Sequence, residues 1–170
     1  QNGKGSILEA RELAGMFLFG ERLILHSAHL FGTAVEHQQR LESLIRGSEL
    51  VEYMAGYAGD PQGKMSGIKT GNSGMSLTTA SGNRVLFKAR SRGSARGFTA
   101  DLVVFDEAYD LPRSVQASML PTLASKSLLE SPQIWYASSA GMPDSEVLKS
   151  IRDRALSPAE ETKLAFYEWS

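Results

Sequence analysis

Ala100-Asp101-Leu102-Val103-Val104-Phe105-Asp106-Glu107-Ala108 is the stretch that decides the fold of this 170-residue chain. Four apolar residues in a row, bounded by polar ones, read as a buried strand of a parallel sheet. Two adjacent carboxylates at its C-terminal end fall where open α/β sheets bind their ligands. Such a pair is costly at the rim of a core unless a metal or a proton transfer uses it. The pattern has the layout of a Walker B strand. Asp106 would hold Mg²⁺, through water, and Glu107 would activate a water molecule. The plainer alternative is a strand ending in a solvated acidic turn.

The first residues bear on that choice. Gln1-Asn2-Gly3-Lys4-Gly5-Ser6 runs directly into Ile7-Leu8-Glu9-Ala10-Arg11-Glu12-Leu13-Ala14, a good helix-forming stretch. A Gly-Lys pair at the mouth of a helix suits phosphate binding. Free backbone N–H groups and the helix dipole face the anion, and lysine reaches the outer phosphates. The usual spacing is G-x-x-x-x-G-K-[ST]. Here the first glycine would precede residue 1, and Gly5 stands between Lys4 and the hydroxyl of Ser6. One extra residue turns a side chain about 100° around a helix. Whether Ser6 touches Mg²⁺ is therefore open. Residues 1–6 together form the expected ATP-binding segment, set against the simpler reading of a capped helix with a solvated lysine.

Bulk properties restrict the classes. The length suits one domain with a substantial core. Eighteen basic against nineteen acidic residues leave a net charge of −1, so no global basic field announces nucleic acid. A DNA-binding role would need local patches or surfaces outside this segment. Cysteine is absent. That excludes disulfides and thiolate metal sites and fits an intracellular protein. No apolar run approaches membrane-spanning length, and nothing reads as a signal peptide. The chain starts inside a motif and so reads as a segment of a longer protein.

Helix and strand alternate along the chain. A helix is expected from Ser6 to Phe19, stopped by Gly20, then a short buried strand from Arg22 to Ser27. Thr33 to Arg46 is amphipathic, with Thr33 as cap, Glu36 three residues on and Gly47 as stop. Glu49 to Met54 reads as a strand. From Gly56 to Asn83, β-prone residues recur between glycines, with short strands near Ile68 and over Met75–Thr79. Arg84–Ala89 is a further strand. After the acidic strand come a helix over Arg113–Leu123, a strand over Gln133–Ser138, a helix over Asp144–Ala155 and the start of a strand over Leu164–Trp169. Such βα units argue for a largely parallel sheet covered on both faces.

Lys88-Ala89-Arg90-Ser91-Arg92-Gly93-Ser94-Ala95-Arg96-Gly97 leads into the acidic strand. Three arginines among small residues make a cationic loop, either simply solvated or in contact with phosphate. An arginine inserted from a neighbouring subunit stabilises charge on a γ-phosphate. Arg96, next to Gly97 and the apolar Phe98, is favoured for that role over Arg90 and Arg92. Ser138-Ser139-Ala140-Gly141 follows a strand, where small hydroxyl residues could sense a γ-phosphate or simply form a turn. His26, His29 and His37 have no second carboxylate or cysteine at metal spacing and read as packing or capping residues.

With these residues in view, the chain resembles the ATPase domain of the large terminase subunit of tailed bacteriophages. The matching segments are QNGKGS, LILHSAHLFGTAVEHQQRLESLI, FKARSRGSARGFTADLVVFDEAYDL, YASSAG and FYEWS. They run in the expected order over nearly the whole chain. The resemblance implies a three-layer αβα P-loop NTPase fold of the additional-strand, RecA-like class, with a mainly parallel central sheet spanning residues 1–170. It implies a Mg²⁺-dependent ATPase that drives double-stranded viral DNA into a procapsid. Lys4 would be the Walker A lysine, Asp106 the Mg²⁺ ligand, Glu107 the catalytic base and Arg96 an arginine finger acting in trans. Ser138, Ser139 and Ala140 would couple hydrolysis to movement. ATP and Mg²⁺ are the implied ligands. The implied partners are DNA, the portal protein, the terminase small subunit and further copies in a ring. The implied setting is the host cytoplasm, with transient docking on the portal and no membrane contact. The implied parent protein also carries a nuclease domain downstream of this segment.

Two other classes fit parts of the pattern. A DExx-box helicase or translocase also sets D-E-A-x on a strand and a small Ser/Thr-Ala motif later. It would continue into a second motor fold rather than an acidic nuclease. A non-catalytic nucleotide-binding module has no use for the second carboxylate, Glu107.

Overall fold

Leu23–Ala28 forms β1, buried along its whole length at the middle of a six-stranded sheet. The others are β2 (Ile68–Gly71), β3 (Gly74–Thr78), β4 (Arg84–Ala89), β5 (Leu102–Phe105) and β6 (Gln133–Tyr136), in the order β2-β3-β4-β1-β5-β6. The computed structural model describes residues 3–71, 74–90, 99–124, 132–157 and 163–168. β4, β1, β5 and β6 run parallel, with Leu25 opposite both Leu86 and Val103, and Val103 opposite Ile134. β2 and β3 form an antiparallel hairpin that extends the sheet beyond β4. The expected parallel sheet is therefore mixed at one end. That end coincides with the glycine-punctuated stretch, where short loops allow only antiparallel pairing.

Strand alternation divides the core. Ile24, Ala28, Leu102 and Val104 face one layer, and Leu23, Leu25, Val103 and Phe105 face the other. The first layer holds α1 (Lys4–Phe17) and α2 (Phe31–Arg46), which present Leu8, Met16, Ala34, Leu41 and Ile45. The second holds α3 (Arg113–Met119), α4 (Pro121–Ala124) and α5 (Glu146–Ala155), with Val115, Met119, Val147 and Ile151. A fully buried leucine such as Leu41 contributes about 1.5–3 kcal/mol. Among the described residues no helix is long and apolar enough to cross a membrane.

Several boundaries differ from the sequence reading. α2 begins at Phe31 with Leu30 as cap, so Thr33 lies inside the first turn and no side-chain cap bond forms. Glu49–Tyr53 is a turn of 3-10 helix rather than a strand. Its apolar residues follow a single helical turn that buries Val51, and only Met54 bridges to Thr79. The helix expected over Arg113–Leu123 is broken, because Pro121 has no N–H to continue α3 and instead opens α4. Residues 164–168 join no ladder; the exposed Arg152–Glu168 pair, at 3.0 Å, ties them to α5.

The parallel strands bring the C-terminal ends of β1, β4, β5 and β6 to one rim. From β1 the chain crosses to β2–β4 on one side, then returns to β5 on the other. The crevice between β1 and β5 is thus the switch point where open α/β sheets take ligands. α1 starts at this rim.

Candidate functional site

Gly3 caps α1 in a left-handed conformation, φ +71°, which a side chain would strain. No side chain caps the first turn, so its N–H groups stay available. Lys4, the first helical residue, extends Nζ to within 2.7 Å of Asp106 Oδ1. Asp106 follows β5 directly, and its N–H prolongs the ladder to Ser27 O at 3.0 Å. Burial would raise the Asp106 carboxyl. The hydrogen bond and charge of Lys4, attraction to His26 and the Glu107 N–H outweigh it and hold Asp106 below its ordinary value. The result is an ionised carboxylate, 5% exposed, at the foot of a helix N-terminus.

Glu107 stands beside it with φ +52°, among the described residues the single non-glycine in the left-handed region. Such a conformation costs on the order of 1–3 kcal/mol and persists only where its surroundings enforce it. Arg90 enforces it. The guanidinium donates to the carbonyls of Glu107 and Asp110, both at 3.1 Å, and to the carbonyl of Asp106. Burial lowers the Arg90 pKa, and the nearby Asp110, Glu107 and Asp106 offset this in part. The Glu107 N–H in turn donates to Asp106 Oδ1 at 2.8 Å. Glu107 Oε2 and Ser27 Oγ are buried without a hydrogen-bond partner among the described residues. A carboxylate oxygen left unpaired beside an ionised aspartate suits a site that takes a hydrated cation and a reacting water.

The end of β6 is fastened to the same turn. Ala108 N–H donates to Ala137 O at 3.0 Å, and Tyr109 N–H donates to Ser138 Oγ at 2.9 Å. Ser145 Oγ donates to Tyr109 O at 2.6 Å and accepts from Met142 N–H. His29 pairs with Asp110 at the rim. A displacement of the acidic turn would therefore be felt directly at Ser138.

Of the residues singled out from the sequence, Lys4, Asp106 and Glu107 are brought together, and Ser138 touches the turn that carries them. Ser139 and Ala140 are exposed beyond it. Gly5 packs against the Arg40 guanidinium, and Ser6 is exposed on α1. Gln1, Asn2, Arg92 and Arg96 lie outside the described residues. Arg90, the less favoured phosphate candidate of the cationic loop, braces the acidic turn through its backbone carbonyls.

Sequence reasoning missed a second polar cluster. His26 and His37 do not merely pack or cap: both bond the buried carboxylate of Glu12. The signal was present in the helical spacing. Leu8, Glu12 and Met16 share the buried stripe of α1, and Ala34, His37, Gln38, Leu41 and Ile45 that of α2. A carboxylate and an imidazole on two facing apolar stripes demand each other as partners.

No family model and no curated protein sequence matches the chain. Among solved structures, the crystal structure of the HK97 bacteriophage large terminase superposes with a TM-score of 0.68 over 91% of this chain, at 16% identity. The chain spans 30% of the length of that protein. At this identity the likeness is one of fold, and the chain has a terminase-like α/β fold.

Proposed function

We propose that this chain is the ATP-hydrolysing domain of a motor that packages double-stranded viral DNA. The observation that carries the reading is the Lys4–Asp106 pair, with Glu107 beside it, at the uncapped start of α1 and the switch point of the sheet. A lysine and helix N–H groups on one wall, facing paired carboxylates on the other, suit a triphosphate and its cation. The terminase-like fold supports packaging as the work performed.

In this reading the first-turn N–H groups of α1 and Lys4 bind the phosphates of ATP. Asp106 holds Mg²⁺ through water, and the ion, when bound, supplies charge neutralisation on the phosphate oxygens. Glu107 orients the attacking water and accepts its proton. Arg96 of a neighbouring subunit completes the site. Ser138, with Ser139 and Ala140 after it, passes movement of the acidic turn to the strand end. The whole protein would work as a ring on the portal of a procapsid in the host cytoplasm, in contact with DNA and a small terminase subunit.

Lys4→Ala tests the reading. In the intact polypeptide it should abolish ATP hydrolysis and DNA-stimulated turnover, since in this reading Lys4 neutralises charge on the transferred phosphoryl group. Hydrolysis at the wild-type rate would overturn the assignment.

A further inference from the structure

Eight residues along α1 from Lys4, Glu12 is fully buried, as are His26 on β1 and His37 on α2. Glu12 Oε1 lies 2.7 Å from His26 Nδ1, and Oε2 lies 2.7 Å from His37 Nε2. The two rings stack at 4.1 Å and 16°, with Phe87 of β4 against both. Two imidazoles and a carboxylate whose ligand atoms fall within 4.8 Å of one another are a familiar donor set for a divalent metal.

The outer contacts argue otherwise. Arg40 Nη2 sits 3.2 Å from His37 Nδ1, and a guanidinium only donates. His37 Nδ1 therefore accepts, so the ring carries its proton on Nε2 and donates it to Glu12. A metal-bound imidazole needs that nitrogen bare and its other N–H turned to an acceptor. Arg40 supplies the opposite. Arg40 is itself held by Glu9 of α1 at 2.6 Å. The cluster is a chain of hydrogen bonds running from Arg40 through His37 and Glu12 to His26, whose Nε2 is buried with no hydrogen-bond partner among the described residues.

We infer that Glu12, gripped by His26 and His37, is a positioning residue that sets where Lys4 meets Asp106. The apolar contacts of Leu8 and Met16 hold α1 to the sheet, but such contacts are non-directional and tolerate sliding and rotation. Two directional bonds from one carboxylate to two different elements do not. Glu12 stands about 12 Å along the axis from Lys4, with unbroken helix between, so its rotation and depth are transmitted to the lysine. His26 pairs in register with Val104, two residues before Asp106. Lys4 and Asp106 thus sit at the open ends of α1 and β5, and the clamp joins α1 to the strand beside β5. The inference rests on the ATPase reading above.

Three variants of the intact polypeptide, with spectra and metal content of the wild type, test it. Glu12→Gln keeps the volume and removes the charge and one acceptor. It should lower kcat for ATP by about tenfold to a hundredfold while moving KM less, as misplacement of a reacting group does. Leu77→Ala, a cavity in the same core layer on β3, should lower the melting temperature at least as much and leave kcat unchanged. His37→Gln, whose amide N–H replaces the Nε2–H donor, should retain most of kcat and serves if Glu12→Gln does not fold. Nitrogen-15 spectra should find the His37 proton on Nε2. Equal kcat losses in Glu12→Gln and Leu77→Ala, unchanged kcat in Glu12→Gln, a His37 proton on Nδ1, or stoichiometric zinc in the purified protein would each overturn the clamp. Full activity of Lys4→Ala would instead bring down the ATPase reading and the clamp with it, while leaving the tautomer of His37 as assigned.

Discussion

Two acidic clusters hang on the same helix and behave in opposite ways. At the rim, Lys4 and Asp106 are paired with side chains 27% and 8% exposed, and Glu107 Oε2 has no hydrogen-bond partner among the described residues. One helical stretch further in, Glu12 is fully buried and both its oxygens are taken by histidines. A carboxylate in the interior must be saturated with donors or neutralised, which leaves it nothing to react with. A carboxylate at a strand end keeps spare lone pairs at the rim where open α/β sheets take ligands. The difference teaches that composition does not mark a reactive cluster; its unpaired atoms and its place on the sheet do.

The largest effects should come from splitting the two rim carboxylates. Glu107→Gln cannot accept a proton, so turnover should fall by roughly 10²–10⁴ with ATP affinity retained. Asp106→Asn should lose metal-dependent ATP binding as well, and it leaves Lys4 without its partner. Nucleotide affinity and single-turnover hydrolysis separate the two. Identical losses of both functions in both variants would mean that the carboxylates share one role.

Arginine provides the next contrast, between a residue proposed to act across subunits and one bonded within its own chain. Full-length Arg96→Ala and Glu107→Gln proteins, each nearly inactive, should regain part of the activity in mixed rings. Some interfaces then pair an intact Arg96 with an intact Glu107, and dilution should remove the gain. Arg90→Ala mixed with Glu107→Gln should gain less, because Arg90 holds carbonyls of its own acidic turn. If mixed rings of the first pair stay inactive while assembly is verified, Arg96 acts in cis or on DNA.

Acid should separate the clusters by stability. Burial would raise the Glu12 carboxyl, but attraction to His26 and hydrogen bonds from both imidazoles bring it from 4.5 down to about 2. A carboxylate whose pKa is depressed by folding stabilises the fold above its unfolded value and loses that stability as pH falls. For Glu12 the contribution is on the order of 3 kcal/mol, present above about pH 4.5 and gone near pH 2. Denaturant midpoints measured across that window should fall more steeply in the wild type than in Glu12→Gln. Parallel curves would mean that the interior carboxylate is not charged.

The central strands and the helices on both faces of the sheet were legible because each rests on a short local pattern; Lys4 and Asp106 each stood out in the sequence, but their direct ion pair, 102 residues apart in the chain, did not. β4 over Arg84–Ala89 follows its apolar run residue for residue. Glu49–Tyr53 was not legible, since one turn of 3-10 helix and a short strand share the same apolar spacing. Arg90 could not be assigned because its partners are backbone carbonyls, whose orientation depends on the left-handed turn at Glu107. The Glu12–His26–His37 cluster required placing three elements together, although each residue already lay on a buried stripe.

The smallest effect should be that of Ser6→Ala. In the usual phosphate loop the residue after the lysine offers its hydroxyl to the cation. Here Gly5 holds that position and packs against Arg40, while Ser6 stands exposed two residues past Lys4. Two residues turn a helix by about 200°, so Ser6 and Lys4 leave the axis in nearly opposite directions. Removing the hydroxyl should therefore leave Mg²⁺ affinity and turnover close to wild type, as measured by metal titration of ATP hydrolysis. Gly5→Ser is the sharper companion. It restores a hydroxyl beside Lys4 but sets a Cβ 3.1 Å from the Arg40 guanidinium, which must shift to admit it. A severe loss in Ser6→Ala would show that the start of α1 rewinds around bound ATP, and that the rim, unlike the interior cluster, is rebuilt in each cycle.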